Sequence, residues 1–415
     1  MTTLSSHPGP PAPASDGRRH RALLAVLAGN MLIDALEVSV LLVALPAIGD
    51  DLGRSPWQTQ WVMSGFALGF AAMLVLGPRL TARWGRRKVY LAALIVLLGA
   101  SVAGGLADNG GLLVLVRVVK GMCAALTAPT GLAIISATFR EGADQRRAVS
   151  TYSLFGAAGF TIGLLSSGAL TGLSWRWDLV LPAPVALLLL VAGWRLVPDD
   201  RGRLREGAGA RVPLAALLGN GRLVRGAVCA ATLNGTYLGL LLLVTYQLHR
   251  EHGWDSWATA VGFLPACVPL AVSLPFAGRM IGRFGTDRLI VTGAVTSGLG
   301  CTAYALRGAP DSYVLGILPT LLLMEAGFVL SFAALNMSAV SGVPDAQRAR
   351  AVRLYQTAVQ LGAVLVLPAV AVLIGPTEGG GGYRAAALLL MAVGGIGALA
   401  ALTGARSRPS PRPGR

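Results

Sequence analysis

Five ionisable side chains sit inside stretches otherwise apolar enough to cross a lipid bilayer. They are Asp34 and Glu37 in "GNMLIDALEVSVLLVALPAIG" (29–49), Arg117 and Lys120 in "RVVKGMCAALTAPTGLAIISATF" (117–139), and Glu325 in "LLLMEAGFVL" (321–330). Asn234, an amide, lies in "CAATLNGTYLG" (229–239). An ionisable group at the centre of a membrane helix costs about 2.5–3.5 kcal/mol, so each is expected to face a partner or a cavity. Asp34 and Glu37 are one helical turn apart on one face. Burial and mutual repulsion forbid both from ionising in a dry site without a cation. By depth, Lys120 falls close to Glu37, with Arg117 nearby, so these two are the candidate cations for Glu37. Asp34 and Glu325 are then left to carry a proton or to pair with a cationic solute. A proton and a solute competing for one carboxylate exchange by linkage. A plainer reading stands beside this one: Glu37–Lys120 as a clamp between helices, and Asp34, Glu325 and Asn234 as packing polarity.

The elements that must hold these groups are read from hydropathy. The 415 residues are 54% hydrophobic and 13% charged, with mean hydropathy +0.64, whereas soluble domains are about a quarter charged. Apolar runs at roughly 22–46, 57–78, 89–107, 112–137, 149–172, 179–196, 226–248, 257–279, 289–307, 314–338, 351–374 and 384–404 are each long enough to cross a bilayer. Alternating strands of a transmembrane barrel are absent. The expectation is an all-α integral membrane protein of twelve helices, with its glycines allowing close helix approach. Of the 35 Lys and Arg, Arg54, Arg176, Arg250, Arg307 and Arg384 fall on one side, and Arg117 and Lys120 fall within a span. All the others, including Arg18, Arg19, Arg86, Arg87, Lys88, Arg203 and Arg205, fall on the opposite side. Such asymmetry places that side and both termini in the cytoplasm. The net charge of +16 therefore orients the chain in a cell membrane, and no nucleic-acid partner is called for.

The expected layout is a tail over 1–20, a six-helix half over 21–196, a linker over 197–225, a second half over 226–404, and a tail over 405–415. The tails are expected to be disordered, and the first span to be retained as an uncleaved helix. The loop after the second helix recurs in each half: "GPRLTARWGRRKVY" (77–90) and "AGRMIGRFGTDRLI" (277–290). Gly85 aligns with Gly285, Arg83 with Arg283, and Trp84 with Phe284. A repeat of six helices is how many secondary transporters are built, with the solute bound between halves.

At these residues the chain resembles the major facilitator superfamily. That family's loop motif, G-x-L-a-D-r-x-G-r-r, is matched by Leu80, Arg83, Gly85, Arg86 and Arg87, with Pro78 and Ala82 as departures. "LEVSVLLVALP", "QWVMSGFALGFAAM", "SWRWDLVLPAPV", "YQLHREHGWDSWATAVGFLP" and "SAVSGVPDAQRARAVRLYQTAVQLG" resemble its drug:proton antiporter branch, which normally has fourteen helices. Its helix-5 motif is reduced to Gly163 and Gly168, with Leu164 at the usual proline. The resemblance implies two six-helix pseudo-repeats around a central cavity lined by helices 1, 4, 7 and 10. Those are the helices that carry the embedded polar groups. It also implies that Arg117 occupies a position linked to proton transfer, and that Arg83, Arg86, Arg87 and Arg283 belong to gate loops.

The implied activity is proton-coupled export of small amphipathic or cationic compounds by a monomer. The partners are a small-molecule substrate, protons and the bilayer; the proton gradient is the energy source, with no cofactor. An importer or uniporter on the same fold, and a non-transporting sensor, are the alternatives. No phosphate loop, HExxH or nucleophile–base constellation points to an ATPase or enzyme. The four cysteines read as small core residues. His249, Glu251, His252 and Asp255 in "HREHGWD" read as loop surface and not as a zinc site.

Overall fold

The computed structural model describes residues 14–139, 143–197, 217–273, 276–307, 312–340, 343–375 and 381–406. Of the tails expected over 1–20 and 405–415, residues 1–13 and 407–415 lie outside these residues, as does most of the expected linker. Residues 14–20 and 405–406 are helical instead, because the first and last helices extend past the ends of their apolar runs. Among the described residues there is no strand. The long helices are α1 (Ala14–Ser39), α2 (Trp61–Trp84), α3 (Arg86–Gly105), α4 (Gly110–Thr138), α5 (Ala143–Thr171) and α6 (Arg176–Leu196). After residues 198–216 come α7 (Gly221–Arg250), α8 (Ser256–Ser273), α9 (Thr286–Arg307), α10 (Tyr313–Ser338), α11 (Asp345–Ile374) and α12 (Gly381–Arg406). Eleven of these satisfy the length and apolarity needed to cross a membrane. The remaining one, α8, fills the position of the eighth expected span and packs against α5 and α10.

At three places a proline stands where the structure departs from one uninterrupted α-helix per apolar run. The first span was expected to run to 46, yet α1 stops at Ser39 and a separate short helix runs Leu45–Leu52. Pro46 has no N–H to continue the α1 ladder and instead sits in the first turn of the short helix. The sixth span was expected to begin at 179. Instead, the turn Arg176–Val180 precedes Pro182, so α6 starts with Arg176 and is interrupted at Leu181, where Pro182 has no N–H to continue the ladder. α10 opens with a π-turn, Tyr313–Ile317, just before Pro319.

The two halves pack alike. In the first, α1 lies on α5, α2 on α4, and α3 on α4 and α6; in the second, α7 lies on α11, α8 on α10, and α9 on α10 and α12. The contacts between halves, α2 with α11 and α5 with α8, are equivalents under the same renumbering. The backbone repeats too. Gly85 closes α2 at φ 83°, ψ 152° and Gly285 closes the short helix Ala277–Phe284 at φ 80°, ψ 154°, a region that favours glycine. Gly53 and Gly253 are the other positive-φ residues described, and Gly253 stands as far after Gly53 as Gly285 does after Gly85.

Candidate functional site

Glu37 is held by both predicted cations. Arg117 Nη1 reaches Glu37 Oε2 at 2.7 Å and Lys120 Nζ reaches Oε1 at 2.8 Å. All three residues are within 1% of complete burial. Arg117 and Lys120 are three residues apart on α4 and so face α1 together. Their spare donors go to backbone: Arg117 Nη2 to Glu37 O (2.8 Å), Arg117 Nε to Val62 O (3.0 Å), and Lys120 Nζ to Leu179 O (2.9 Å). The guanidinium also lies over the Phe66 ring, 4.7 Å from its centroid. The cluster thus ties α1, α2, α4 and α6 together, with one anion between two cations.

Asp34, one turn earlier on α1, accepts from Asn30 Nδ2 at 2.8 Å and from the Thr127 hydroxyl at 3.1 Å. No described cation pairs with it. Thr127 Oγ1 lies equally close to the Cys123 and Ala124 carbonyls. Its single proton cannot serve the carboxyl and the helix backbone at once.

Glu325 is fully buried on α10. The Tyr237 hydroxyl interacts with it electrostatically, but neither carboxyl oxygen makes a well-formed hydrogen bond within the described protein. A row of rings leads away from it. Phe160 of α5 approaches Tyr237 of α7, Tyr237 lies 4.6 Å from Phe328, and Phe328 stacks on Phe332 at 4.9 Å. This row crosses from the first half to the second beside the unpaired acid. Asn234 stands apart, donating to Val359 O of α11 at 3.0 Å.

Three contacts between the halves lie at the end away from the Arg83 and Arg283 loops. There the Thr59 and Tyr246 hydroxyls meet at 2.6 Å, Ser256 Oγ donates to Val43 O at 3.1 Å, and His249 Nε2 lies 3.2 Å from Asp50 Oδ2. His249 Nδ1 faces the Trp254 carbonyl at 3.2 Å. Both ring nitrogens therefore face acceptors. Asp255 caps α8 through Ala258 N at 2.7 Å. The "HREHGWD" residues that read as loop surface thus include part of this seal. Close to it, the Trp175 indole and Arg176 hold the Asp51 carboxyl below the usual carboxylate range.

The two helix-5 glycines have different neighbours. A Cβ on Gly163 would lie 2.4 Å from Ser39 Oγ of α1, within one half. A Cβ on Gly168 would lie 2.7 Å from Ala260 Cβ and 2.9 Å from Ser256 O of α8, across the seal. At the basic end, Arg83 and Arg283 are exposed, Leu80 is half-buried, and Arg87 donates to Trp194 O; Arg86 is the first residue of α3, next to Gly85.

Asp178 was not among the sequence candidates. It is buried in the first turn of α6, and its Oδ2 accepts from Thr171 (2.8 Å) and Ser167 (3.3 Å) of α5. A span starting at 179 leaves Asp178 in a loop. The signal for it was Ser167 and Thr171, spaced to share one helical face just upstream.

A sequence profile of the Major Facilitator Superfamily matches residues 27–367. The chain is 30% identical to the puromycin resistance protein of Streptomyces alboniger, over 84% of this chain and 80% of that one. It is 28% identical to the lincomycin resistance protein of Streptomyces lincolnensis, over 97% and 94%. With the cephamycin export protein of Amycolatopsis lactamdurans it shares 32% identity over 69% and 56%. The nucleoside transporter NupG superposes with TM-score 0.72 at 15% identity, over 93% of this chain and all of NupG. A bacterial homolog to the human lysosomal transporter Spinster superposes with TM-score 0.76 at 18% identity, over 94% and 97%. A profile match along most of the length, relatives aligned nearly end to end and a helical fold in two like halves lead to one conclusion: the chain belongs to the major facilitator superfamily.

Proposed function

We propose that the protein is a proton-coupled antiporter of the plasma membrane that exports small amphipathic or cationic antibiotics by alternating access. The observation that carries this reading is the unequal pairing of the buried acids. Glu37 has two cations, while Asp34 and Glu325 have none among the described residues. A buried carboxyl without a countercharge is stable only as the neutral acid or with a bound cation. Each is therefore a place where a proton and a cationic solute exclude one another. The ring row from Phe160 to Phe332 supplies flat apolar surface beside Glu325 for the body of such a solute. Thr127, able to accept from a protonated Asp34 while donating to its own helix, suits both states of that acid.

In the cycle that follows, the halves 21–196 and 226–404 rock about the central cavity, with 197–225 as the tether. The basic loops and both termini face the cytoplasm, and the Thr59–Tyr246 seal faces outward. Proton entry from outside drives solute release there, and proton loss inside readies the cavity for the next solute. The names of the relatives support antibiotics as the solute class. The test is proton movement in inverted membrane vesicles energised by respiration, probed with puromycin, lincomycin and lipophilic cations. Export predicts collapse of the lumenal acidification by at least one compound in wild type, and not in Asp34→Asn or Glu325→Gln. Silence across the panel with the protein present in the membrane contradicts it.

A further inference from the structure

We propose that Asp178 is a second proton-binding group, and that its proton is required to close the outward end of the transporter. The proposal rests on the export reading for its orientation, and on different residues for its argument.

Asp178 sits where a buried carboxyl is least expected to be ionised. Its Oδ2 accepts from two neutral hydroxyls, Thr171 and Ser167, and its Oδ1 has no described partner. The groups around it carry no free charge. α3 presents Gly104 and Gly105 against Leu179 and Val180. α4 presents Lys120, which is committed to Glu37 and the Leu179 carbonyl. On its own turn, Arg176 is drawn to Asp51 and lies over the Trp175 ring. α5 supplies only the two hydroxyls. Closed and dry, the site holds the acid form.

The same turn of α5 makes the seal. Gly168 lies between Ser167 and Thr171, and its backbone rests on Ser256, Trp257 and Ala260 of α8. Parting α5 from α8 uncovers the turn that donates to Asp178 and admits water from outside. The carboxylic acid can then lose its O–H proton to that water. Closing again requires the carboxylate to regain a proton from outside, because the dry site offers it no cation. Acid outside therefore favours the seal, and alkali opens it. The Lys120–Leu179 contact, one residue away, places the device next to the Glu37 cluster without making it part of the solute cavity.

The test reads the seal directly, with no solute or gradient present. Spin labels are placed at Leu173→Cys and Leu306→Cys, exposed positions on opposite halves, with Cys123, Cys229, Cys267 and Cys301 replaced by Ala. His249→Gln is carried throughout so that the imidazole at the seal does not contribute. Distances are measured in nanodiscs from about pH 5 to about pH 9, a range that brackets a buried carboxyl. The expected result is a long-distance population that grows with pH in this background. It should be lost in Asp178→Asn and kept, with a moved midpoint, in Asp178→Glu. Ser167→Ala with Thr171→Val removes the donors that stabilise the carboxylate, and should raise the midpoint by about one pH unit. This pair carries the test if Asp178→Asn does not fold. An Asp178→Asn curve that follows its background, or a background that ignores pH, overturns the proposal. A seal that answers to Asp178 in a protein that moves no drug would instead sink the export reading alone.

Discussion

At the scale of single residues, the arithmetic of charge decides which acid is structural and which is available. Glu37 neutralises one of two buried cations, so Glu37→Gln leaves Arg117 and Lys120 to repel each other in a dry site. Losing one partner of a buried pair costs about 3–5 kcal/mol. Glu325→Gln keeps the side chain's size and its Tyr237 neighbour and breaks no described ion pair, so the loss should be about 1 kcal/mol or less. Thermal unfolding in detergent should therefore separate the two variants clearly, with Glu37→Gln melting first; equal melting would contradict the pairing. Asp51 lies outside the spans, and Trp175 and then Arg176 depress its carboxyl. Such a group contributes above its unfolded value and loses that contribution as pH falls through the lower folded value. The Asp51–Trp175 tie should then loosen only below about pH 4. The difference in tryptophan emission between wild type and Asp51→Asn should change there and stay flat near neutrality. Depth along the helices was enough to pair Glu37 with its cations from sequence. It was not enough to find Thr127, because depth does not say which way α4 is turned. Asp178 was lost for another reason: hydropathy draws α6 from its apolar run and omits the polar first turn.

At the scale of elements, glycines sort into those that build a half and those that let halves meet. A Cβ on Gly121 would stand 2.0 Å from the Phe66 carbonyl of α2, where backbone meets backbone inside one half. Gly121→Ala should cost folding, about 1–3 kcal/mol or more, seen as low yield and early melting. Gly168 instead faces α8 of the other half. Gly168→Ala should fold normally and hold the outward end open, shifting its closed population by about tenfold, or about 1.4 kcal/mol. Accessibility of the seal to a membrane-impermeant thiol reagent, with a cysteine at Thr59, would report it. A Gly168→Ala protein that is unstable but normally sealed would show that the contact is fixed packing. The helices themselves were legible as apolar runs. The break in α1 was signalled by Pro46 and missed because the run stays apolar across it. A second repeat was also present in the sequence: Gly53, Trp57 and Thr59 against Gly253, Trp257 and Thr259. Its basis is conformational, since both glycines take positive φ, and the loop at Gly85 and Gly285 draws attention first only because it is more charged.

At the scale of the molecule, two like halves meet along α2–α11 and α5–α8, and hydrogen bonds join them at the end away from the Arg83 and Arg283 loops. A surface of that kind can part at one end while the other closes, which is what alternating access requires. The superfamily and the two-half plan could be read from the loop repeat and the distribution of basic residues. What the cavity exchanges could not, because that depends on which acids lack partners, and partners are a property of packing. The central claim is that solute and proton displace each other at unpaired acids. Its most direct test is proton release by the purified protein in weakly buffered detergent on addition of a transported drug. The account predicts release of about one proton for each drug bound, diminished in Asp34→Asn or Glu325→Gln while drug still binds. Saturable drug binding to the wild type with no release of protons would contradict it.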